Sequence, residues 1–183
     1  MSDEQSHYQV RFDWGVAGAV AVGRDADVIV WADAIVPPGG GPDPAQLPPA
    51  CAIVAADVRT ARAAGAWTAA LQLRLRRRVA IAVIAAGDVR ADGSARFAVE
   101  DQLVAGAVIA TLGNLGIDAT SPEAAVADAA YRGLEGAVGH LVTASVSGRA
   151  ASRPASAFRV DAGLDETGVV VLRRHPDAGI MPA

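Results

Sequence analysis

Val79-Ala80-Ile81-Ala82-Val83-Ile84, running on into Ala85-Ala86-Gly87-Asp88, decides the fold. Six apolar residues with no polar alternate leave no face for water, so the run reads as a strand covered on both sides. That is the pattern of a parallel sheet in an α/β protein. Asp27-Val28-Ile29-Val30-Trp31-Ala32 repeats it and stops at Asp33, and Cys51-Ala52-Ile53-Val54-Ala55 is a shorter third copy. Tyr8-Gln9-Val10-Arg11-Phe12 alternates apolar and polar, as a half-buried strand does, and Val169-Val170-Val171-Leu172 is a short terminal strand.

Helical signals fill the intervals. Gly15-Val16-Ala17-Gly18-Ala19-Val20 is a small-residue helix able to sit close to a sheet. Asp57 is a good N-cap for a helix running to about Leu75, with Val58, Ala61, Gly65, Thr68, Leu71 and Leu75 at helical spacing. A further helix runs from about Ala98 to Leu112. Ser121-Pro122-Glu123 opens the next, with an N-cap serine, a first-turn proline and an acid beside it. That helix extends to about Ala144, and Ser147-Gly148-Arg149 breaks it. Strands alternating with helices predict an α/β fold. The expected form is a three-layer α/β/α sandwich on a mainly parallel sheet, one domain over residues 1–183. Residues 36–49 hold so much proline and glycine that they read as a loop or linker.

Composition removes several functions. Hydrophobic residues make up 52% but aromatics only 4%, so the core is built from small side chains. All 16 cationic residues are arginine, which excludes a lysine Schiff base and a P-loop lysine. The net charge of −4 gives no reason to expect nucleic acid or an anionic membrane as partner. Arg74, Arg76, Arg77 and Arg78 cluster where a helix C-terminus favours positive charge. Cys51 is alone, so no disulfide framework forms within the chain. The acidic opening Met1-Ser2-Asp3-Glu4 is unlike a signal peptide, and no apolar run is long enough to span a membrane. A cytoplasmic location is expected. The glycines near residues 15–23 lack the dinucleotide fingerprint, and His7, His140 and His175 lack metal-ligand spacing.

Open α/β sheets bind ligands beyond the carboxyl ends of their strands. Asp33 and Asp88 stand at two such ends, and Glu100-Asp101 opens the helix that returns from the second. Carboxylates converging there suit magnesium, which takes one or two of them together with water and substrate phosphate. The same residues also have plain structural readings. Glu100 and Asp101 in a first helical turn complement the helix dipole, and Asp33 and Asp88 can cap turns. Ser147, Gly148 and Arg149 offer a hydroxyl, backbone N–H groups and a cation to an anion, or simply cap a helix break.

Tyr8-Gln9-Val10-Arg11-Phe12-Asp13-Trp14-Gly15, followed by Ala26 to Val30 and Asp33, resembles the opening of 2-phosphosulfolactate phosphatases in their bacterial form. Val79 to Gly87, then Asp92-Gly93-Ser94-Ala95-Arg96-Phe97-Ala98-Val99-Glu100-Asp101, resembles that family's central signature. Gly106-Ala107, Ser121-Pro122-Glu123 and Ser147-Gly148-Arg149 continue the likeness in order. The resemblance implies an α/β/α fold and a magnesium-dependent phosphatase acting on a small phosphorylated acid. It implies a metal held by Asp33, Asp88 and Glu100, catalysis involving Asp33, Glu100 and Asp101, and substrate held by Ser147, Gly148 and Arg149.

The chain also departs from that family. Asp33 runs into Ala34-Ile35-Val36-Pro37-Pro38, no Asn-Gly phosphate turn occurs, and Gly87-Asp88 stands where the family has Gly-Glu. The sandwich is therefore expected to be a shortened one, with activity altered or lost. The alternative is a non-catalytic scaffold, binding or assembly protein that keeps the fold. A shortened domain that covers exposed apolar surface by self-association would be a homo-oligomer.

Overall fold

In chain order the main elements are β1 (Val10–Trp14), α1 (Gly15–Val22), β2 (Val28–Ala32), β3 (Ala52–Ala56), α2 (Ala61–Leu75) and β4 (Ile81–Ala85). A two-stranded hairpin follows, β5 (Asp88–Val89) with β6 (Ala95–Arg96). Then come α3 (Val99–Asn114), α4 (Pro122–Leu134), α5 (Val138–Ala144), α6 (Val146–Ala150) and β7 (Val170–Arg173). This computed structural model describes residues 5–36, 41–49, 51–151 and 167–179. Residues 37–40 of the proline- and glycine-rich stretch and the acidic opening 1–4 lie outside them.

The sheet order is β1-β4-β2-β3-β7. The first four strands are parallel, and β7 closes the edge antiparallel to β3. The fold is thus α/β on a mainly parallel sheet. The apolar runs of β2, β3 and β4 are buried at every position, as their unbroken hydrophobicity requires. One apolar cluster lies between the sheet and α2, α3 and α4, through Trp67, Leu71, Val108 and Leu112. A thinner one covers the other face, where Ala19 and Val22 of α1 meet Ile29, Ile53 and Ile84 beside Leu47 and Cys51.

Close helix packing follows from small residues. At Gly106 of α3 an added Cβ would lie 2.3 Å from the Ala127 carbonyl oxygen and 2.6 Å from Tyr131 Cβ. The α3–α4 contact exists only because that position has no side chain.

Three local readings change. Arg11 of β1 is buried: it ion-pairs with Asp25 and donates to the carbonyls of Ser6, Tyr8 and Val22. Partners for every donor, rather than exposure, make that burial affordable. Asp57 does not cap α2. It closes a turn one step earlier, accepting from the N–H groups of Arg59 and Thr60 at 2.8 Å, and α2 begins at Ala61. The helix opened by Ser121 is interrupted by a 3-10 turn at Glu135–Ala137, and the break falls at Ser145. Ser147-Gly148-Arg149 is itself helical, within α6.

The arginine cluster serves the fold. Arg77 forks onto Asp27, Arg78 donates to Gln9, and Arg74 lies over the Trp67 ring. Among the described residues no helix is long and apolar enough to cross a membrane.

Candidate functional site

Trp14, Ala85, Ala32 and Ala56 stand in one row across the parallel strands. The residues just after them therefore form a single carboxyl edge: Gly15, Ala86, Asp33 and Asp57. Because β4 is inserted between β1 and β2, Asp33 and Gly87 emerge from neighbouring strands although they are far apart in sequence. Gly87 turns the chain with φ of +68°, a conformation that a side chain would strain.

A cleft of about 360 Å³ opens at this edge, lined among others by Trp31, Asp33, Gly87, Asp88, Glu100, Asp101 and Ser147. Its size suits a small ligand. Five of the predicted site residues thus meet in one place. Arg149 is exposed and is not among the lining residues. Gly148 is buried and its N–H already goes to Ser145 Oγ at 3.0 Å, so its place is to cap and pack α6.

Glu100 and Asp101 lie in the first turn of α3, with accessibilities of only 1% and 3%. Charges that merely complement a helix dipole stay in water. These two do not. Asp101 clamps the two strand ends: one oxygen accepts the Ala34 N–H at 2.8 Å and the other the Gly87 N–H at 3.0 Å. Glu100 has neither oxygen partnered. The indole N–H of Trp31, lining the same cleft, is also buried without a partner. Buried polar groups in native proteins nearly always have partners, so two orphans in one cleft are what a bound water, ion or ligand would account for.

The electrostatics point the same way. Burial, reinforced by the Asp33 charge and opposed by the Ala34 N–H, pushes the Asp101 carboxyl up to about 8. Burial also raises Asp33, against the Ile35 N–H it accepts, and Glu100, Asp57 and Asp88 add to the rise. The cleft holds carboxylates that resist being charged together, a condition a bound cation relieves.

Asp88 stands apart from them. It pairs with Arg96 of β6, which holds its carboxyl below the usual range. The same guanidinium donates to Ser147 Oγ at 2.6 Å. Two residues beyond the predicted set bear on the cleft: Trp31, which lines it, and Arg96, which does not line it but bonds two residues that do. The signal for Arg96 was an arginine four residues before Glu100, in the stretch carrying the resemblance. Trp31 gave no sign beyond its place at a strand end.

Among the described residues, no three His, Cys, Asp or Glu side chains are grouped to hold a metal ion by themselves. Magnesium does not need three: one or two carboxylates with waters suffice. Asp33 and the orphan Glu100 meet that requirement, whereas Asp88 is occupied by Arg96. Comparison of the chain with family models, with curated proteins and with solved structures finds no match.

Proposed function

We propose that the cleft is a magnesium-dependent site for hydrolysing a small phosphorylated acid, as the resemblance to 2-phosphosulfolactate phosphatases implies. The observation that carries the reading is the buried, unpartnered carboxylate of Glu100 beside Asp33. Asp33 and Glu100 would hold the ion, which when bound supplies charge neutralisation for a phosphate ester and acidifies a water. Asp101 is a positioning residue, because both its oxygens are spent on the Ala34 and Gly87 N–H groups. It keeps the ends of β2 and β4 at a fixed separation, and phosphoryl transfer depends chiefly on such positioning. In the overall reaction water adds to phosphorus, the ester P–O bond breaks, and the alcohol oxygen leaves with a proton.

The test is turnover of a panel of small phosphate esters with magnesium and with EDTA, beside the melting temperature under both conditions. A magnesium-dependent rise in melting temperature with release of phosphate is expected. Absence of both would sink the reading.

One observation favours a second reading, a binding or assembly protein without catalysis. Asp88, the third carboxylate implied for the metal, is tied to Arg96, and no Asn-Gly turn exists to hold phosphate. A magnesium-dependent melting shift without turnover of any ester would select it.

A further inference from the structure

Asp88 and Ser147 line the cleft, and Arg96, directly behind them, joins the two in a cluster that the hydrolytic reading leaves unused. Arg96 reaches two groups with one nitrogen, the Asp88 carboxylate and the Ser147 hydroxyl. The two charged partners differ in exposure. The Arg96 side chain is 16% accessible and that of Asp88 48%. The cation is sheltered and anchored, and the anion is the part open to water.

The Asp88 end of the pair lies half in water, so its carboxylate can be hydrated when another anion takes its place on Arg96. A guanidinium is also well shaped for carboxylate, sulfonate or phosphate oxygens. Asp88 sits directly after Gly87, on a strand of two residues, so little structure moves with it. Asp88 and Ser147 both line the cleft that contains Glu100 and Asp101.

We propose that Arg96 and Ser147 form an oxyanion subsite, filled by the Asp88 carboxylate in the free protein. An anionic group of the ligand displaces that carboxylate. The subsite rests on the proposed function in opening onto the same cleft, and it adds that the ligand class is an anionic small molecule read by Arg96. Asp88 then acts as an internal competitor that weakens binding of any anion too poor in contacts to displace it.

The experiment is calorimetric titration of the full chain with inorganic phosphate and, separately, with acetate, both without metal. Phosphate stands for the transferred group and acetate for the acid group, so the pair separates the two sources of the anion. Asp88→Asn removes the competing charge and keeps the shape. It is expected to tighten at least one probe about tenfold, and Arg96→Gln in that background is expected to abolish the gain. If Arg96→Gln does not fold, Arg96→Lys, which keeps the charge and loses the fork, should give a partial loss. Tightening in Asp88→Asn without ester turnover leaves the subsite standing and removes the hydrolytic reading. Turnover by the unmodified chain with no tightening of either probe in Asp88→Asn overturns the subsite alone.

Discussion

Asp101 accepts the Gly87 N–H at 3.0 Å with one carboxylate oxygen while the other takes the Ala34 N–H at 2.8 Å. One side chain on α3 thereby ties together the ends of two adjacent strands. Replacing it with alanine leaves two backbone donors without their acceptor. A cost of about 3 kcal/mol is expected, since each orphaned buried donor costs about one to three. Urea unfolding of Asp101→Ala measures it. A loss under about 0.5 kcal/mol would show that the clamp contributes nothing.

The Asp101 carboxyl titrates near 8 rather than at its ordinary 3.8. The native chain therefore keeps a proton that the unfolded chain has lost between those values. The stability tied to that proton is complete below about 4 and disappears as pH rises through about 8. Without metal the melting temperature should fall across this window, and Asp101→Asn should flatten the slope. Added magnesium should stabilise more at pH 8 than at pH 5, because cation binding favours the charged carboxylates.

Glu100 holds a buried carboxyl group that no hydrogen bond satisfies. Glu100→Gln removes the charge and its repulsion with Asp33 and Asp101. The metal-free protein should gain about 1 kcal/mol, roughly 2–4 °C for a chain of this size. The same variant should lose the magnesium-dependent shift and most of any turnover. Stabilisation and loss of response together would identify a functional charge kept at the expense of stability. A variant that loses stability without magnesium would contradict this.

Gly106→Ala tests the packing of the small-residue core. The new methyl would lie 2.3 Å from the Ala127 carbonyl oxygen, which is backbone and cannot rotate away. α4 must move off α3, and overpacking of this kind costs about 1–3 kcal/mol. Thermal denaturation of the variant reads the loss. Gly139→Ala, where nothing lies within 4 Å of the added atom, is the control.

Val16 and Val20 are one helical turn apart on α1 and are 36% and 43% exposed. Within the described residues α1 is the main cover of one sheet face, and these valines lie on its open side. Self-association through this patch is expected, as proposed for a shortened domain. Size-exclusion chromatography with light scattering should give more than one copy, and Val20→Asp should reduce it to the monomer. A monomeric unmodified chain would remove the expectation.

Most elements were legible because their signals are local. The run 79–84 and the run 28–32 are apolar at every step, short and rich in Val and Ile, which favours a doubly covered strand. Ser121 caps its helix through Ala124 N–H, as the Ser-Pro-Glu sequence predicts. The end of that helix was misplaced since Ser145, rather than Ser147, makes the capping bond to Gly148. Two serines with the same local chemistry differ only in where the chain turns. The alternation of β1 does not reveal that Arg11 is buried, because its partner Asp25 lies 14 residues on and its carbonyl partners leave no mark on side-chain pattern.

By itself the sequence determined the α/β class, the five strands of the main sheet, and carboxylates that stand at their ends. Each follows from the polarity of neighbouring residues. Only the tertiary structure decided that β4 slots between β1 and β2, bringing Asp33 beside Gly87. It also divided the acids by role: Asp101 as a clamp, Glu100 as an unpartnered carboxyl group, and Asp88 as the partner of Arg96. A carboxylate's work is set by which donors and charges surround it and how far water is excluded. Those surroundings come from segments remote in the chain.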